Sequence, residues 1–183
     1  MADAQTAADT RRRWEADELA LRQRMRGEPA PISLERVAGR SGIDVFRAMI
    51  AGELPRPPIA ETLGFILVDV EPGRAVFQGR PSRALLNPLG TVHGGWFATL
   101  LDSALGCAVH SQLPAGKSYT TLELKVNIVR PLAESGDLVR AEGQIVHFGR
   151  QTATAEARLV GPDGKLYAHG TTTCLVFDTP RAA

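Results

Sequence analysis

The sequence has few cysteines, few aromatic residues and no long apolar run. Its 183 residues include two cysteines, Cys107 and Cys174, and 5% aromatic residues. Both cysteines lie in apolar stretches, so they are predicted to be small core residues rather than a disulfide. No stretch approaches the 18 apolar residues of a membrane span, and the first residues lack the apolar core of a signal peptide. We therefore expect a cytoplasmic protein without a membrane partner.

The sequence also lacks a charge imbalance and the common cofactor motifs. Lysine and arginine total 21 and aspartate and glutamate 20, and the two signs are interspersed. This balance offers no electrostatic reason to expect nucleic acid as a partner. The four histidines show no metal-ligand spacing with each other or with the cysteines, and glycine-rich phosphate-binding motifs are missing. We expect no metal site.

The chain divides into a helical N-terminal extension (1–59), a main domain (60–178) and a C-terminal tail (179–183). Helix-forming residues begin at Thr10, and Ser33 and Ser41 are placed to cap two further helices. Three prolines within residues 55–58 then interrupt the helical pattern. This proline-rich segment is therefore predicted to be the joint between the extension and the main domain.

The main domain shows the alternation of apolar and polar residues that is typical of strands, before and after one long apolar helix. "GFILVDV" and "RAVFQGR" flank the turn "EPG" and predict a hairpin. After the helix, four alternating runs follow with no second helix, which favours an antiparallel sheet and an α+β fold. Two of these runs, 153–159 and 168–176, carry mostly small residues on one face. We expect the helix to pack against that face.

Asp102 is unusual because it is the only formally charged residue between Gly94 and His110. Acids are seldom buried unless they are paired. On a helix, the positions within about 40° of it are Gly95, Ala98, Gly106 and Val109, which predicts a shallow groove. Two interpretations remain open. Asp102 is either a packing residue hydrogen-bonded to Ser103 or a loop, or a general base or nucleophile.

The segment "NPLGTVHGG" before the helix has the features of a loop that approaches a ligand. Free N–H groups at a helix start attract an anion or a developing oxyanion. His93 is expected either to cap the loop through a hydrogen bond or to contact a substrate. Gly94 and Asp102 are eight residues apart, which is about 12 Å along a helix. If both serve one site, two subunits must contribute, so we expect an obligate dimer with composite sites.

Asn87, "HGG" at 93–95, Asp102, the strand "TLELKVNIVRP" and "GR" at 149–150 together resemble the acyl-CoA thioesterases of the hotdog fold. The likeness is to the phenylacetic-acid-degradation type within the 4-hydroxybenzoyl-CoA thioesterase superfamily, over about residues 60–178. The resemblance implies a curved antiparallel sheet wrapped around a long central helix. It also implies homodimers with continuous sheets, commonly paired into tetramers as dimers of dimers.

The resemblance further implies hydrolysis of an aryl or medium-chain acyl-CoA to the free acid and coenzyme A. No cofactor is implied, since coenzyme A is part of the substrate. The Gly94 N–H would polarise the thioester carbonyl, and Asp102 of the other subunit would act as base or nucleophile. By the same resemblance, Asn87 would orient the chemistry, and His93 would support the loop and the carbonyl. Thr121, preferred over Thr120, would hold the attacking water. The residues implied to lie near the substrate and its coenzyme A tail are Gly95, Arg130, Gly149 and Arg150.

Two other functions fit the same fold. One is a non-catalytic module that binds an acyl-CoA or an aryl ligand. The other is a dehydratase for hydroxyacyl thioesters, whose pairing of Asp and His around the helix is not found here. For the N-terminal extension three roles remain open: covering the sheet, extending the subunit interface or shaping the acyl pocket.

Overall fold

The computed structural model describes residues 2–132 and 138–179, with side chains from residue 5 onward. Residues 180–183 of the expected C-terminal tail lie outside these ranges. Among the described helices, none combines the length and the apolar character needed to cross a bilayer.

The N-terminal extension is helical, and the helical pattern is interrupted at residues 51–57 before a short helix follows. Pro58 begins this short helix, because a proline in the first helical turn removes only an N–H that the helix would not use. Gly64 ends this helix with a φ of 70°, a backbone conformation that glycine adopts without strain. The helices are α1 (Ala2–Arg24), α2 (Leu34–Val37), α3 (Gly42–Ile50) and α4 (Pro58–Leu63).

In the part of the main domain that the structure describes, six strands form one antiparallel sheet, and a long helix is inserted after the second strand. The spatial order is β1-β2-β4-β5-β6-β3, so β1 and β3 form its outer edges. This arrangement confirms the α+β prediction and the expected hairpin. The elements are β1 (Phe65–Glu71), β2 (Arg74–Gly79), α5 (Gly94–Ser111), β3 (Lys117–Ile128), β4 (Val139–Phe148), β5 (Thr152–Val160) and β6 (Leu166–Asp178).

Helix α5 packs against the inner face of the sheet at close range. The small residues of β5 and β6 on this face are buried, as expected: Ala153, Ala155, Ala157, Ala168, Thr172 and Cys174. Gly143 of β4 shows how close the two layers are. A Cβ added there would lie 2.3 Å from the backbone oxygen of Ala104 in α5. The sheet can therefore approach the helix only because this position has no side chain.

The extension covers parts of both layers of the main domain. Helix α3 contacts the C-terminal end of α5, where the rings of Phe46 and His110 meet edge to face at 5.0 Å. Helix α1 lies on the outer face of the sheet, where the Gln78 side chain donates a hydrogen bond to the Trp14 carbonyl. The Arg140 guanidinium lies 4.6 Å above the Trp14 ring. Covering the sheet is therefore one role of the extension.

Candidate active site

Asp102 lies half-buried in the middle of α5, and among the described residues its side-chain partner is a hydroxyl of β3. Thr121 Oγ1 donates a hydrogen bond to Asp102 Oδ1 at 3.3 Å. Burial raises the pKa of Asp102, and the Thr121 hydrogen bond lowers it by a smaller amount. Ser103 is not the partner, because its hydroxyl donates to the Thr99 carbonyl at 2.8 Å. The carboxylate is thus held against an inner strand position with its proton affinity increased.

A β-bulge in β3 determines which threonine faces Asp102. The register with β6 shifts between Thr121 and Glu123, so Leu122 is the extra residue. As a result Thr121 and Leu124 both pair with buried residues on the inner face, although they are three positions apart. Thr120 lies on the outer face, where it pairs with Leu175. Of the two candidates, only Thr121 is brought to the acid.

The start of α5 presents one unpaired backbone N–H. His93 caps the helix, and its Nδ1 accepts a hydrogen bond from the Gly95 N–H at 2.9 Å. When the ring is neutral, its proton is therefore on Nε2. The Gly95 amide is occupied by this bond, so it is not a second oxyanion donor. Among the described residues the Gly94 N–H has no acceptor, as expected for the first residue of a helix.

Asn87 organises the loop that leads into His93. Its side-chain oxygen accepts hydrogen bonds from the backbone N–H groups of Leu89 and Thr91 at 2.9 and 3.2 Å. Its amide nitrogen donates to the Thr91 hydroxyl at 2.8 Å. This network fixes a tight turn in which Gly90 has a φ of 81°. Within one chain, Asn87 therefore acts on the loop.

The expected site residues form two groups, one at the N-terminus of α5, which we call the donor end, and one around its middle, which we call the acid end. The donor end contains Asn87, His93, Gly94, Gly95 and Arg130, and a Cβ added at Gly94 would contact Ile128 near the end of β3. The acid end contains Asp102 and Thr121, near the start of β3. Gly149 and Arg150 lie in the β4–β5 turn, and the Gly149 N–H bonds to the Thr152 carbonyl. Thr152 and Thr120 both pair with Leu175 of β6, so this turn is on the side of the acid end. Along α5, Gly94 and Asp102 are about 12 Å apart.

An apolar cavity lies beside the first turns of α5 at the donor end. Its volume is about 460 Å³, and His93 and Gly95 form part of its wall. Sequence reasoning missed this cavity, and the one available signal was the bulky Trp96 directly after the two glycines. We call it the N-terminal cavity; its other lining residues are Leu63, Ala84, Leu85, Leu86, Trp96 and Thr99.

Other reactive groups near the helix do not suit catalysis. Burial, followed by the charge of Asp102, raises the pKa of the Cys107 thiol to about 12, so this thiol is not a nucleophile at neutral pH. Among residues 2–132 and 138–179, no group of three or more histidine, cysteine or acidic side chains is placed to hold a metal ion.

Comparison with known proteins identifies the family. The model of the thioesterase superfamily matches residues 89–168, which include the end of the Asn87 loop, α5 and β3. The solved structure of a phenylacetic acid degradation-related protein from Ralstonia eutropha JMP134 is 35% identical. The match covers 71% of this chain and 98% of that one, with a TM-score of 0.65. The chain belongs to the thioesterase superfamily. Its hotdog fold of the phenylacetic-acid-degradation type, and its class as a thioesterase enzyme, are thereby confirmed.

Two curated proteins extend the comparison of this thioesterase. The acyl-coenzyme A thioesterase PaaI of Escherichia coli is 28% identical over 109 residues, which are 60% of this chain and 75% of PaaI. A protein of Halobacterium salinarum whose name classes it as an esterase is 41% identical over 75 residues, which are 40% of this chain. The latter match spans about half, 48%, of that protein.

Proposed function

We propose that this thioesterase hydrolyses an acyl-CoA with an aryl or medium-chain acyl group, releasing the free acid and coenzyme A. The observation that carries the proposal is the half-buried Asp102 carboxylate on a mostly apolar helix, with the Thr121 hydroxyl of β3 beside it. The named activity of the Escherichia coli relative supports an acyl-CoA as the substrate class.

The proposed chemistry uses the Gly94 N–H of the donor end and the Asp102 carboxylate of the acid end. The thioester carbonyl oxygen accepts a hydrogen bond from the Gly94 N–H, which stabilises the negative charge that develops on it. Water, held by Thr121 and Asp102, forms the new C–O bond and gives its proton to Asp102. The C–S bond then breaks, and the coenzyme A thiolate takes up the proton. In the variant mechanism, Asp102 attacks the carbonyl itself, and the C–S bond breaks to release the coenzyme A thiolate. Water then hydrolyses the resulting anhydride to the free acid and the Asp102 carboxylate, and the proton released goes to the thiolate.

A homodimer with composite sites accounts for the separation of the two ends. Strand β3 is an outer edge of the sheet, and Leu122 on this strand is 62% exposed. Exposed apolar residues on a free edge favour pairing with another strand. If two copies pair through β3 in antiparallel fashion, the donor end of one lies beside the acid end of the other. The resemblance to the family adds a tetramer built from two such dimers.

The first test is release of free thiol from a panel of acyl-CoAs. The panel contains phenylacetyl-CoA, benzoyl-CoA and straight-chain acyl-CoAs from acetyl to decanoyl. We expect release from aryl or medium-chain members. Tight binding of these compounds without release from any of them would instead support the non-catalytic binding module.

A further inference from the structure

We propose that the N-terminal cavity holds the acyl group, and that helix α4, which joins the extension to the main domain, sets the size of that group through Leu63. This inference rests on the proposed acyl-CoA hydrolysis and adds to it the location of the acyl pocket.

The position of the cavity supports this assignment. His93 and Gly95, the residues on either side of the candidate oxyanion donor, form part of the cavity wall. A carbonyl oxygen that accepts a hydrogen bond from Gly94 lies about 3 Å from its nitrogen. The acyl chain attached to that carbonyl therefore begins next to the cavity. A different cavity, lined by His110 and α2–α3 residues, lies near the other end of α5, about 24 Å from Gly94 in the same chain.

The lining of the cavity suits an acyl group. Leu63, Leu85, Leu86 and Trp96 supply apolar surface. The hydroxyl of Thr99 already donates to the Gly95 carbonyl at 2.9 Å, so its proton needs no partner from the ligand. A volume of about 460 Å³ lies in the usual range for small-molecule pockets and exceeds what an acetyl group fills. The cavity therefore has room for acyl groups larger than acetyl.

The part of the wall contributed by α4 is fixed to the active-site helix. The indole Nε1 of Trp96 donates a hydrogen bond to the Leu63 carbonyl at 2.8 Å. Trp96 is buried, so this bond is protected from water and holds the end of α4 against the first turn of α5. The side chain of Leu63 is consequently held at a defined distance from the site of hydrolysis.

A filling substitution and a matched control test the assignment. Thr99→Leu adds volume inside the cavity, whereas Ser103→Leu makes a similar change one turn along the same helix, outside the cavity. Both hydroxyls donate to the carbonyl four residues earlier, so the loss of that bond is common to the two variants. For Thr99→Leu we expect kcat/KM to fall at least tenfold for the largest accepted acyl-CoA and less than threefold for acetyl-CoA or the smallest accepted member. Ser103→Leu should change all members by a common factor.

Leu63→Ala provides the opposite change, and it decides the question if Thr99→Leu does not fold. Enlarging the cavity from the side of α4 should shift the preferred acyl chain to a longer one in the same thiol-release assay. If kcat/KM depends on acyl length in the same way for wild type, Thr99→Leu and Leu63→Ala, the acyl-pocket assignment is wrong, while the proposed hydrolysis still stands. No thiol release from any member with the wild-type protein would overturn the proposed function, and this inference with it.

Discussion

At the scale of residues, Asp102 combines a destabilising environment with a chemical use. Removing a carboxylate from water favours its protonated form, and one hydroxyl bond compensates only in part. In the folded chain the pKa of Asp102 is therefore raised above the unfolded value. Such a group favours folding at low pH, and this contribution is lost as the pH rises past the unfolded pKa and the folded pKa. At neutral pH the charge of Asp102 opposes folding.

Asp102→Asn separates the chemical from the structural role. The amide keeps the shape of the side chain and removes the base, so we expect kcat to fall by about two orders of magnitude or more. The melting temperature at pH 7 should stay the same or rise, because the buried charge is gone. A variant that turns over at a near-normal rate would show that Asp102 is a packing residue.

Thr121→Val tests the hydrogen bond to Asp102 through the pH dependence of the reaction. The Thr121 hydroxyl lowers the pKa of Asp102, so its loss should raise that pKa further. Because the ionised carboxylate is the active form, the acidic limb of the kcat/KM profile should move to higher pH. Thr120→Val is the matched control, since Thr120 faces the other side of the sheet. Equal profiles for the two variants would contradict the assignment of Thr121.

Sequence patterns predicted the elements but not the bulge in β3. Burial imposes a period of two on strands and 3.6 on helices, so the six strands and α5 leave clear signals. The bulge leaves none, because Leu122 continues the apolar alternation of Leu124 and Val126 while lying in an irregular position. Thr121 lies on the inner face because of how β3 pairs with β6, and strand pairing depends on residues that are distant in the sequence.

At the scale of elements, Gly143 controls the contact between β4 and α5. In Gly143→Ala the new methyl group would meet the Ala104 carbonyl of α5, and backbone atoms cannot move aside as a flexible side chain does. We expect a loss of about 1–3 kcal/mol in the free energy of unfolding, as for other overpacked cores. Denaturant unfolding measures this loss.

The control for this prediction is Gly27→Ala, where an added Cβ has no atom within 4 Å and the backbone is not in a left-handed conformation. The free energy of unfolding of this variant should lie within about 0.5 kcal/mol of the wild-type value, as is usual for surface substitutions. If Gly143→Ala were as stable as this control, the close approach of β4 to α5 would be wrong.

At the scale of the whole molecule, the docking of the extension was not predictable from its own pattern. Helix α1 has only a narrow apolar stripe, and part of its contact with the sheet is polar. Gln78 joins the Trp14 carbonyl, the Glu18 carboxylate and the Arg140 guanidinium in one cluster. Hydrogen bonds between distant segments leave no periodic signal in a sequence. The separation between Gly94 and Asp102, by contrast, followed from helix geometry alone.

The central claim is that each site takes Gly94 from one subunit and Asp102 from the other, and subunit complementation tests it most directly. Gly94→Pro removes the donor N–H at the first helical position, where proline is tolerated. His93 before it already has an extended backbone, which suits a following proline. Asp102→Asn removes the acid. Each variant alone should have very low thiol release.

The decisive measurement is thiol release by the two variants after they are unfolded and refolded together. In a mixed dimer one site has both Gly94 and Asp102 intact, so random mixing should restore about a quarter of wild-type activity. A site built from a single chain has no intact copy in any dimer. An activity that stays at the level of the separate variants, while mixed dimers are shown to form, would contradict the composite site.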